Sequence, residues 1–286
     1  MRFAITATDR YLGVFDAFIE AGWEPVKLFT APLDNRTEFN QAVVERAQGL
    51  HIDVQLSRMQ ERDLQDLALR GCDLLVVASY NWRIGDWRPY LRHAINFHPS
   101  PLPEGRGPYP AVRAILEQRK VWGVSCHQLD AEFDSGVILA QVLFPLADDE
   151  CHDSLDLKIQ MASQRLAQQV ASNLPALWQH AEPQGKGEGS YWRRWHDDER
   201  LIDFSRPIEE IARHIRAFRV VEALADINGV RIYVRRAVVW PEAHAYAPGS
   251  VVHSHHLKLV VAAPDGYVAL LEWSVIAPDA VSKLGR

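Results

Sequence analysis

The sequence lacks the features that would place a protein in a membrane or in an oxidising compartment. Its 286 residues include only three cysteines, and their odd number and wide spacing predict reduced thiols rather than a disulfide framework. No apolar run reaches the length of about eighteen residues that a bilayer-spanning helix needs. The first residues also lack the basic, apolar and small-residue segments of a secretory signal. These absences predict a cytoplasmic protein with no membrane partner.

An excess of basic residues is also missing. The chain holds 31 Lys and Arg against 37 Asp and Glu, a formal net charge of −6. Proteins dedicated to nucleic acids usually carry a basic stripe, because phosphate contacts by Lys and Arg release counterions. The acidic balance therefore lowers the expectation of an RNA partner, although a local basic patch would suffice for one.

Strand-like and helix-like segments alternate through the first half of the chain. A hydrophobic content of 48% excludes a disordered chain and allows a sizeable core. Residues 3–7, 72–79 and 93–98 are short apolar runs typical of strands buried on both faces. Amphipathic segments such as residues 12–19 separate them. This rhythm predicts an α/β fold with a mostly parallel sheet and helices on both faces.

The composition changes near residue 182. Residues 182–189 (EPQGKGEG) contain three glycines and a proline and predict a flexible surface linker. Beyond them, Asn228-Gly229 predicts a type I′ hairpin and Pro264-Asp265-Gly266 predicts another turn between strands. We therefore predict an α/β domain over residues 1–185, a linker over 186–204 and a small β-rich domain, resembling an open barrel, over 205–286.

Candidate catalytic side chains follow the predicted strand at residues 93–98. Asn96 and His98 are two residues apart, so both point to one side, at the strand end where open α/β sheets bind ligands. An amide and an imidazole together can stabilise a developing oxyanion. Asp134 is the candidate to keep His98 charged or correctly oriented. Each residue alone is more typical of a structural role, whereas their combined order and spacing favour a site.

Residues 96–141 (NFHPSPLPEGRGPYPAVRAILEQRKVWGVSCHQLDAEFDSGVILAQ) resemble the signature of the folate-dependent formyltransferases. That family includes methionyl-tRNA formyltransferase, glycinamide ribonucleotide transformylase and the sugar-nucleotide amine formyltransferases. Two positions depart from the signature, since Pro101 stands where leucine is usual and Gly105 replaces an aromatic residue. The matching positions are Asn96, His98, Pro99, Ser100, Leu102, Pro103, Arg106, Gly107, Gly123, Val124, Ser125, Asp134 and Gly136.

The resemblance implies a Rossmann-like catalytic domain that binds 10-formyltetrahydrofolate rather than a dinucleotide. In agreement, no Gly-x-Gly-x-x-Gly follows the first predicted strand. It also implies direct transfer, in which a neutral primary amine attacks the formyl carbon and forms a tetrahedral oxyanion. Asn96 and protonated His98 would stabilise this oxyanion, while Asp134 would hold His98 and assist proton removal from the amine. The expected folate contacts are Tyr80, Asn81, Trp82, Ile84, Leu129 and Asp130, and the expected acceptor contacts are Ser100, Arg106 and Gly107.

The second domain bears on the identity of the acceptor. Residues 201–218 resemble the start of the OB-like C-terminal domain of methionyl-tRNA and amino-arabinose formyltransferases. Residues 219–223 (RVVEA) depart from the proline-tryptophan-proline-glycine-alanine that often follows there. From Arg200 onward, eleven Lys and Arg face nine Asp and Glu, a balance of +2, whereas a barrel that grips tRNA would be more basic.

We therefore expect the acceptor to be the amine of an amino sugar nucleotide or another small amine. Methionyl-tRNA, the amine of an amino acid or peptide, and hydrolysis of formyltetrahydrofolate remain alternatives. An inactive scaffold is disfavoured, because Asn96, His98 and Asp134 are all present.

Two other histidine-containing motifs have simpler interpretations. The tract at residues 253–256 (HSHH) is typical of a solvated strand edge, and we expect no metal. Cys126 and His127 are adjacent in a predicted strand and face opposite sides, so they do not form a nucleophile pair. We expect Cys126 in the core and His127 beside the site. Residues 191–195 (YWRRW) are expected to pack on the main domain, a base-stacking surface being the alternative.

Overall fold

The contacts in the computed structural model divide the chain into two units. The structure describes residues 1–33, 39–185, 187 and 189–276. The first unit comprises Met1–Pro110, Val121–Pro145 and Leu157–Trp192, and the second comprises Ala111–Lys120, Leu146–Asp156 and Arg193–Arg286. The final division, after Trp192, falls inside the segment predicted as the linker. Two shorter segments from earlier in the chain also belong to the second unit.

A seven-stranded sheet forms the centre of the first unit. The strands occur in the order β3-β2-β1-β4-β5-β6-β7. Neighbours from β3 to β5 pair in parallel, whereas β6 pairs antiparallel with both β5 and β7. The predicted mostly parallel, Rossmann-like sheet is therefore confirmed. The strands are β1 (Arg2–Ala7), β2 (Glu24–Phe29), β3 (Asp53–Gln55), β4 (Leu74–Ala78), β5 (His93–His98), β6 (Val121–Gln128) and β7 (Ile138–Pro145).

Helices cover both faces of this sheet. Successive side chains of β1 point to opposite faces, so neighbouring residues of this strand contact different helices. Phe3 packs against Phe15 and Phe18, with ring centroids 5.9 and 5.4 Å away. Ala4 belongs instead to a buried cluster with Leu64 and Leu67. None of the helices in these described ranges is both long and apolar enough to cross a membrane. The helices of this unit are α1 (Leu12–Glu20), α2 (Gln41–Gly49), α3 (Glu61–Leu69) and, from Leu157 onward, most of α5 (His152–Gln179), whereas α4 (Pro110–Leu116) lies almost wholly in the second unit.

The second unit contains a five-stranded antiparallel sheet and helix α6 (Ile208–Phe218), which confirms the predicted β-rich C-terminal domain. Asn228 and Gly229 have φ angles of 50° and 79°, the left-handed values that a type I′ turn requires. Asp265, in the β11–β12 turn, accepts a hydrogen bond from the amide of Ile208 at 3.0 Å and so caps α6. The strands are β8 (Ala223–Ile227), β9 (Val230–Pro241), β10 (Val251–His255), β11 (Lys258–Ala263) and β12 (Gly266–Ser274), in the order β10-β11-β12-β9-β8.

Candidate active site

Asn96 and His127 face each other across neighbouring strands. The antiparallel register of β5 and β6 places His127 directly opposite Asn96. Asn96 Nδ2 lies 3.0 Å from His127 Nε2, and His127 Nδ1 lies 2.8 Å from the carbonyl oxygen of Gln128. Because that carbonyl only accepts, His127 carries its proton on Nδ1, and its Nε2 accepts from the Asn96 amide. His127 thus fixes the orientation of Asn96, and it lies beside the site as expected.

Burial keeps the His127 ring neutral. The residue is only 1% exposed, and this desolvation lowers its pKa to about 4, although the carboxylate of Asp134 acts in the opposite direction. A neutral ring retains the lone pair on Nε2 that the Asn96 amide needs. On a protonated ring, Nε2 would carry a hydrogen that faces the N–H of the Asn96 amide. Two donors cannot bond to each other, so the hydrogen bond that orients Asn96 would be lost.

His98 lies between two oxygen acceptors at the end of β5. Its Nε2 donates to the carbonyl oxygen of Gly105 at 2.8 Å, and its Nδ1 lies 3.3 Å from Asp134 Oδ1. Both partners accept, so a ring protonated on both nitrogens satisfies both contacts. His98 is only 6% exposed, which leaves the paired carboxylate as its main electrostatic neighbour.

Asp134 connects the two histidines. Its Oδ1 lies 3.3 Å from His98 Nδ1 and 3.8 Å from His127 Nε2, while its Oδ2 accepts from the amide of Gly107 at 2.8 Å. The backbone at Asp134 is left-handed, with φ of 57°. The loop then turns so tightly that a Cβ on Gly136 would lie 1.9 Å from the carbonyl oxygen of Gln128. The structure thus brings together Asn96, His98 and Asp134, the three predicted catalytic residues, with His127 among them.

Ser125 holds the proline-rich loop that follows β5. Its hydroxyl donates to the carbonyl oxygen of Ser100 at 2.6 Å and accepts from the amide of Leu102 at 2.9 Å. Gln141, on β7, donates to this hydroxyl and to the carbonyl oxygen of Leu102, both at 2.7 Å. Two neighbouring strands therefore fix the path of the loop that carries Gly105.

All three residues predicted to contact the acceptor make hydrogen bonds within the protein. Ser100 is fully buried and donates from its hydroxyl to the carbonyl oxygen of Glu104 at 2.7 Å. The amide of Gly107 donates to Asp134. Arg106 Nε donates to Gln184 Oε1 at 2.8 Å. Their contact with an acceptor stays a prediction.

The two segments predicted to contact folate lie side by side. Tyr80, Ile84 and Leu129 pack against the same buried cluster, which also contains Trp87. Trp87 Nε1 donates to the carbonyl oxygen of Leu129 at 3.1 Å, joining the segments. The partly buried side chains of the two segments thus form one partly apolar wall.

The remaining predicted folate contacts lie on the more exposed side of this wall. Trp82 has its ring centroid 5.2 Å from that of Tyr80, and Asn81 is exposed. Asp130 pairs with Arg88 at 2.7 Å, and its pKa is lowered chiefly by a hydrogen bond from the amide of Ala131. Whether these residues contact folate stays a prediction.

Gln184 is a site residue that the sequence did not reveal. Its Nε2 donates to the carbonyl oxygens of Asp134 and Gly136, both at 2.8 Å. It lies in the stretch predicted as a flexible linker, yet Glu182 beside it exchanges two backbone hydrogen bonds with Ile138. Glycine-rich composition gave no indication of these partners, because they come from distant parts of the chain.

The end of the predicted linker is also bound to the first unit. Arg106 exchanges backbone hydrogen bonds with Ser190 and Trp192, at 3.0 and 2.8 Å. Trp192 stacks on the buried ring of Trp122, with centroids 5.6 Å apart and planes 5° apart. The packing of Trp192 on this unit agrees with the prediction for residues 191–195. Trp195 instead belongs to the second unit, where its ring centroid lies 5.5 Å from that of Phe218.

The other reactive side chains lie apart from this centre. Cys126 is fully buried, as predicted, and burial raises the pKa of its thiol. Among the residues that the structure describes, no group of three or more His, Cys, Asp or Glu side chains could hold a metal ion. The candidate site consists of hydrogen-bonding and ionisable side chains at the ends of β5 and β6.

Comparisons with known proteins identify relatives of both units. A family model described as formyl transferase matches residues 21–171, and one described as formyl transferase, C-terminal domain, matches residues 195–278. A methionyl-tRNA formyltransferase of Janthinobacterium sp. (strain Marseille) is 33% identical over 211 residues. That match covers 70% of this chain and 64% of the relative, so the chain spans less than two thirds of the relative's length.

Solved structures share the fold at low sequence identity. An N-formyltransferase from Helicobacter canadensis, in complex with folinic acid and dTDP-3-aminofucose, is 15% identical with a TM-score of 0.68, and the match covers 96% of this chain and 99% of that one. HypX from Aquifex aeolicus, in complex with tetrahydrofolic acid, is 19% identical with a TM-score of 0.66, and the match covers 96% of this chain and 44% of that one.

Proposed function

The chain belongs to the formyl transferase family, and from that premise we propose that it transfers a formyl group from 10-formyltetrahydrofolate to a primary amine. The observation that carries this proposal is the connected series Asn96, His127, Asp134 and His98, in which neighbouring side chains lie 3.0 to 3.8 Å apart. It combines an oriented amide donor, an imidazole paired with a carboxylate and a neutral second imidazole, and both imidazoles are buried from solvent.

Each group has a task in the transfer. The amine nitrogen bonds to the formyl carbon, the bond from that carbon to N10 of the folate breaks, and the proton that the amine loses is passed on to N10. Asn96 Nδ2 carries a second hydrogen besides the one given to His127, and this hydrogen donates to the formyl oxygen as negative charge develops there. The His98 imidazolium stabilises the same charge through space, and Asp134 holds His98 and receives the proton from the amine.

The residues near Asp134 suit a folate. A pterin is flat, with polar edges and apolar faces, and Tyr80, Ile84 and Leu129 offer partly buried apolar surface for such a face. The Helicobacter canadensis structure holds folinic acid and the HypX structure holds tetrahydrofolic acid, which supports a folate as co-substrate. The six residues assigned to folate in the sequence analysis are retained in this proposal.

A small amine, carried on a sugar nucleotide, is the acceptor that the charges favour. Six arginines from Arg200 onward pair with carboxylates in the second unit. These pairs neutralise a surface that tRNA would need to find positive. The relatives differ on this point, since one is named for methionyl-tRNA and another was solved with dTDP-3-aminofucose.

A transfer assay with two classes of acceptor tests the proposal. Purified protein is mixed with 10-formyltetrahydrofolate and either a panel of amino sugar nucleotides or charged initiator tRNA. Absorbance follows tetrahydrofolate, mass spectrometry follows the formylated product, and a separate assay follows formate. We expect formylated sugar nucleotide. Product only with the tRNA would replace the acceptor, and formate release independent of any amine would identify a hydrolase.

Variants at the site supply the residue-level control. Asn96→Ala, His98→Asn and Asp134→Asn should each lower kcat/KM by about 100-fold or more, because each removes a charge or donor from the reacting group. His253→Asn, on an exposed edge strand, is the matched control and should retain full activity. Near wild-type rates in the three site variants would disprove the assigned roles.

A further inference from the structure

Gln184 occupies a junction behind the proposed catalytic carboxylate. Its amide nitrogen uses both hydrogens on one loop, donating to the carbonyl oxygens of Asp134 and Gly136 at 2.8 Å each. Its amide oxygen accepts from Arg106 Nε at 2.8 Å. Three hydrogen bonds therefore converge on one half-buried side chain, and two of them bracket the residue whose carboxylate faces His98.

The loop that Gln184 holds is conformationally demanding. Asp134 has φ of 57°, a left-handed value that is unfavourable for a residue with a Cβ. Two residues later, Gly136 packs so closely that a Cβ would overlap the Gln128 carbonyl oxygen. A strained conformation persists only where its surroundings determine it strongly. The two bonds from Gln184 are well placed to do so.

The opposite side of His98 is anchored in a similar way. The carbonyl oxygen of Gly105 accepts from His98 Nε2, and the amide of the same Gly105 donates to Ser190 Oγ at 2.9 Å. The amide of Arg106 also donates to the carbonyl oxygen of Ser190 at 3.0 Å. Both partners of the His98 ring are thus tied to residues near the C-terminal end of the first unit, Asp134 through Gln184 and Gly105 through Ser190.

We propose that Gln184 is a positioning residue for the transfer reaction, holding Asp134 in place beside His98, and that Arg106 acts through Gln184 rather than on the acceptor. The proposal rests on the proposed function. Its physical basis is geometric: a carboxylate that moves away from His98 interacts with it more weakly, and misplacement by about 1 Å can lower a rate about 100-fold.

Two substitutions at Gln184 distinguish the role of its two donated hydrogen bonds from that of the one it accepts from Arg106. Gln184→Met removes all three hydrogen bonds at similar size, whereas Gln184→Glu keeps an acceptor for Arg106 but removes both donors to the loop. Both variants should lower kcat by about 10- to 100-fold while the KM for each substrate changes less than about threefold. Gln169→Glu, exposed on α5, is the matched control.

A double-mutant cycle tests the part assigned to Arg106. If Arg106 acts through Gln184, Arg106→Met should lower kcat with little change in acceptor KM, and the double variant should be no slower than Gln184→Met alone. A raised acceptor KM in Arg106→Met, or additive losses, would show direct contact with the acceptor and overturn this part.

Thermal unfolding and the wild-type assay keep the outcomes distinguishable. Each variant is assayed at a temperature where circular dichroism shows it folded. Full activity in Gln184→Glu, or a loss of kcat/KM that lies in KM with kcat unchanged, would overturn the positioning role. If the wild type forms no product with any amine tested, the proposed function fails instead.

Discussion

A single buried histidine orients the amide of Asn96, the proposed oxyanion donor. His127 lies opposite Asn96, keeps its proton on Nδ1 through Gln128, and leaves Nε2 to accept from the amide. Its environment excludes water almost completely, and burial lowers its pKa to about 4. The orientation of the proposed oxyanion donor therefore depends on His127 staying neutral, which has consequences for stability as well as catalysis.

The lowered pKa of His127 predicts a loss of stability toward acid. The unfolded residue titrates near its ordinary value of 6.5, while the folded one stays neutral until about pH 4. Below pH 6.5 the unfolded state gains a proton that the folded state cannot take, so the free energy of unfolding falls as pH falls. Between pH 7 and 5 we expect this residue to contribute a loss of roughly 2 kcal/mol.

Denaturant unfolding at the two pH values measures that loss. His127→Gln removes the titrating ring, so its stability should fall by roughly 2 kcal/mol less than that of the wild type over this interval. His253→Gln, at an exposed position, should follow the wild type. Parallel curves for His127→Gln and the wild type would mean that His127 does not titrate differently on folding.

An unusual left-handed residue lies immediately before strand β8. Glu222 has φ of 61°, is only 6% exposed and places Oε1 3.4 Å from Arg235 Nε. Its Oε2 is buried without a hydrogen-bond partner in the described structure. The formyltransferase segment that this part of the chain resembles has glycine at the corresponding position. Glu222 thus adopts a backbone conformation that favours glycine.

Glu222→Gly should therefore stabilise the protein. Glycine adopts this φ without the cost of about 1 kcal/mol that a Cβ brings, and the substitution also removes a carboxyl whose pKa burial raises. A raised pKa means that the folded state loses stability as pH rises from 4.5 through the folded value, so the gain should be larger at pH 7 than at pH 4.5.

Thermal and denaturant unfolding at both pH values measure this gain. Glu209→Gly, in the first turn of α6, serves as the comparison and should destabilise by about 1 kcal/mol, because glycine there lies within a helix. If Glu222→Gly were as destabilising as Glu209→Gly, the pairing with Arg235 would outweigh the backbone strain.

Local sequence patterns predicted strands that are buried along their whole length. They did not predict side-chain contacts between residues that are far apart in the sequence. Strand β4 is buried along its whole length, so its apolar run was sufficient evidence. Asn96 and His98 share a face because of the two-residue period of β5. The pairing of Asn96 with His127 depends on the register between β5 and β6, and the bonds from Gln184 reach back 48 and 50 residues. No spacing rule predicts such contacts.

At the scale of the whole molecule, the charge distribution leads to different expectations for the two candidate acceptors, an amino sugar nucleotide and tRNA. The chain carries a net charge of −6. In the second unit, six arginines form ion pairs with nearby carboxylates, as Arg219 does with Asp153 at 2.8 Å. Exposed pairs of this kind add little stability, but they cancel the field that a polyanion would sense. A ligand with one or two phosphates needs few contacts, whereas tRNA needs many.

The salt dependence of transfer should follow from that difference. For an amino sugar nucleotide, raising the salt from about 50 to 200 mM should change the acceptor KM by less than about tenfold, because few phosphate charges are neutralised. An enzyme that grips tRNA through six to ten phosphate contacts would lose affinity by about 1,000-fold or more over the same range. Steady-state kinetics with each acceptor at matched pH gives the comparison. A steep dependence with tRNA, together with faster turnover at low salt, would mean that the paired arginines exchange their carboxylates for phosphates on binding, and that the acidic net charge does not report the acceptor.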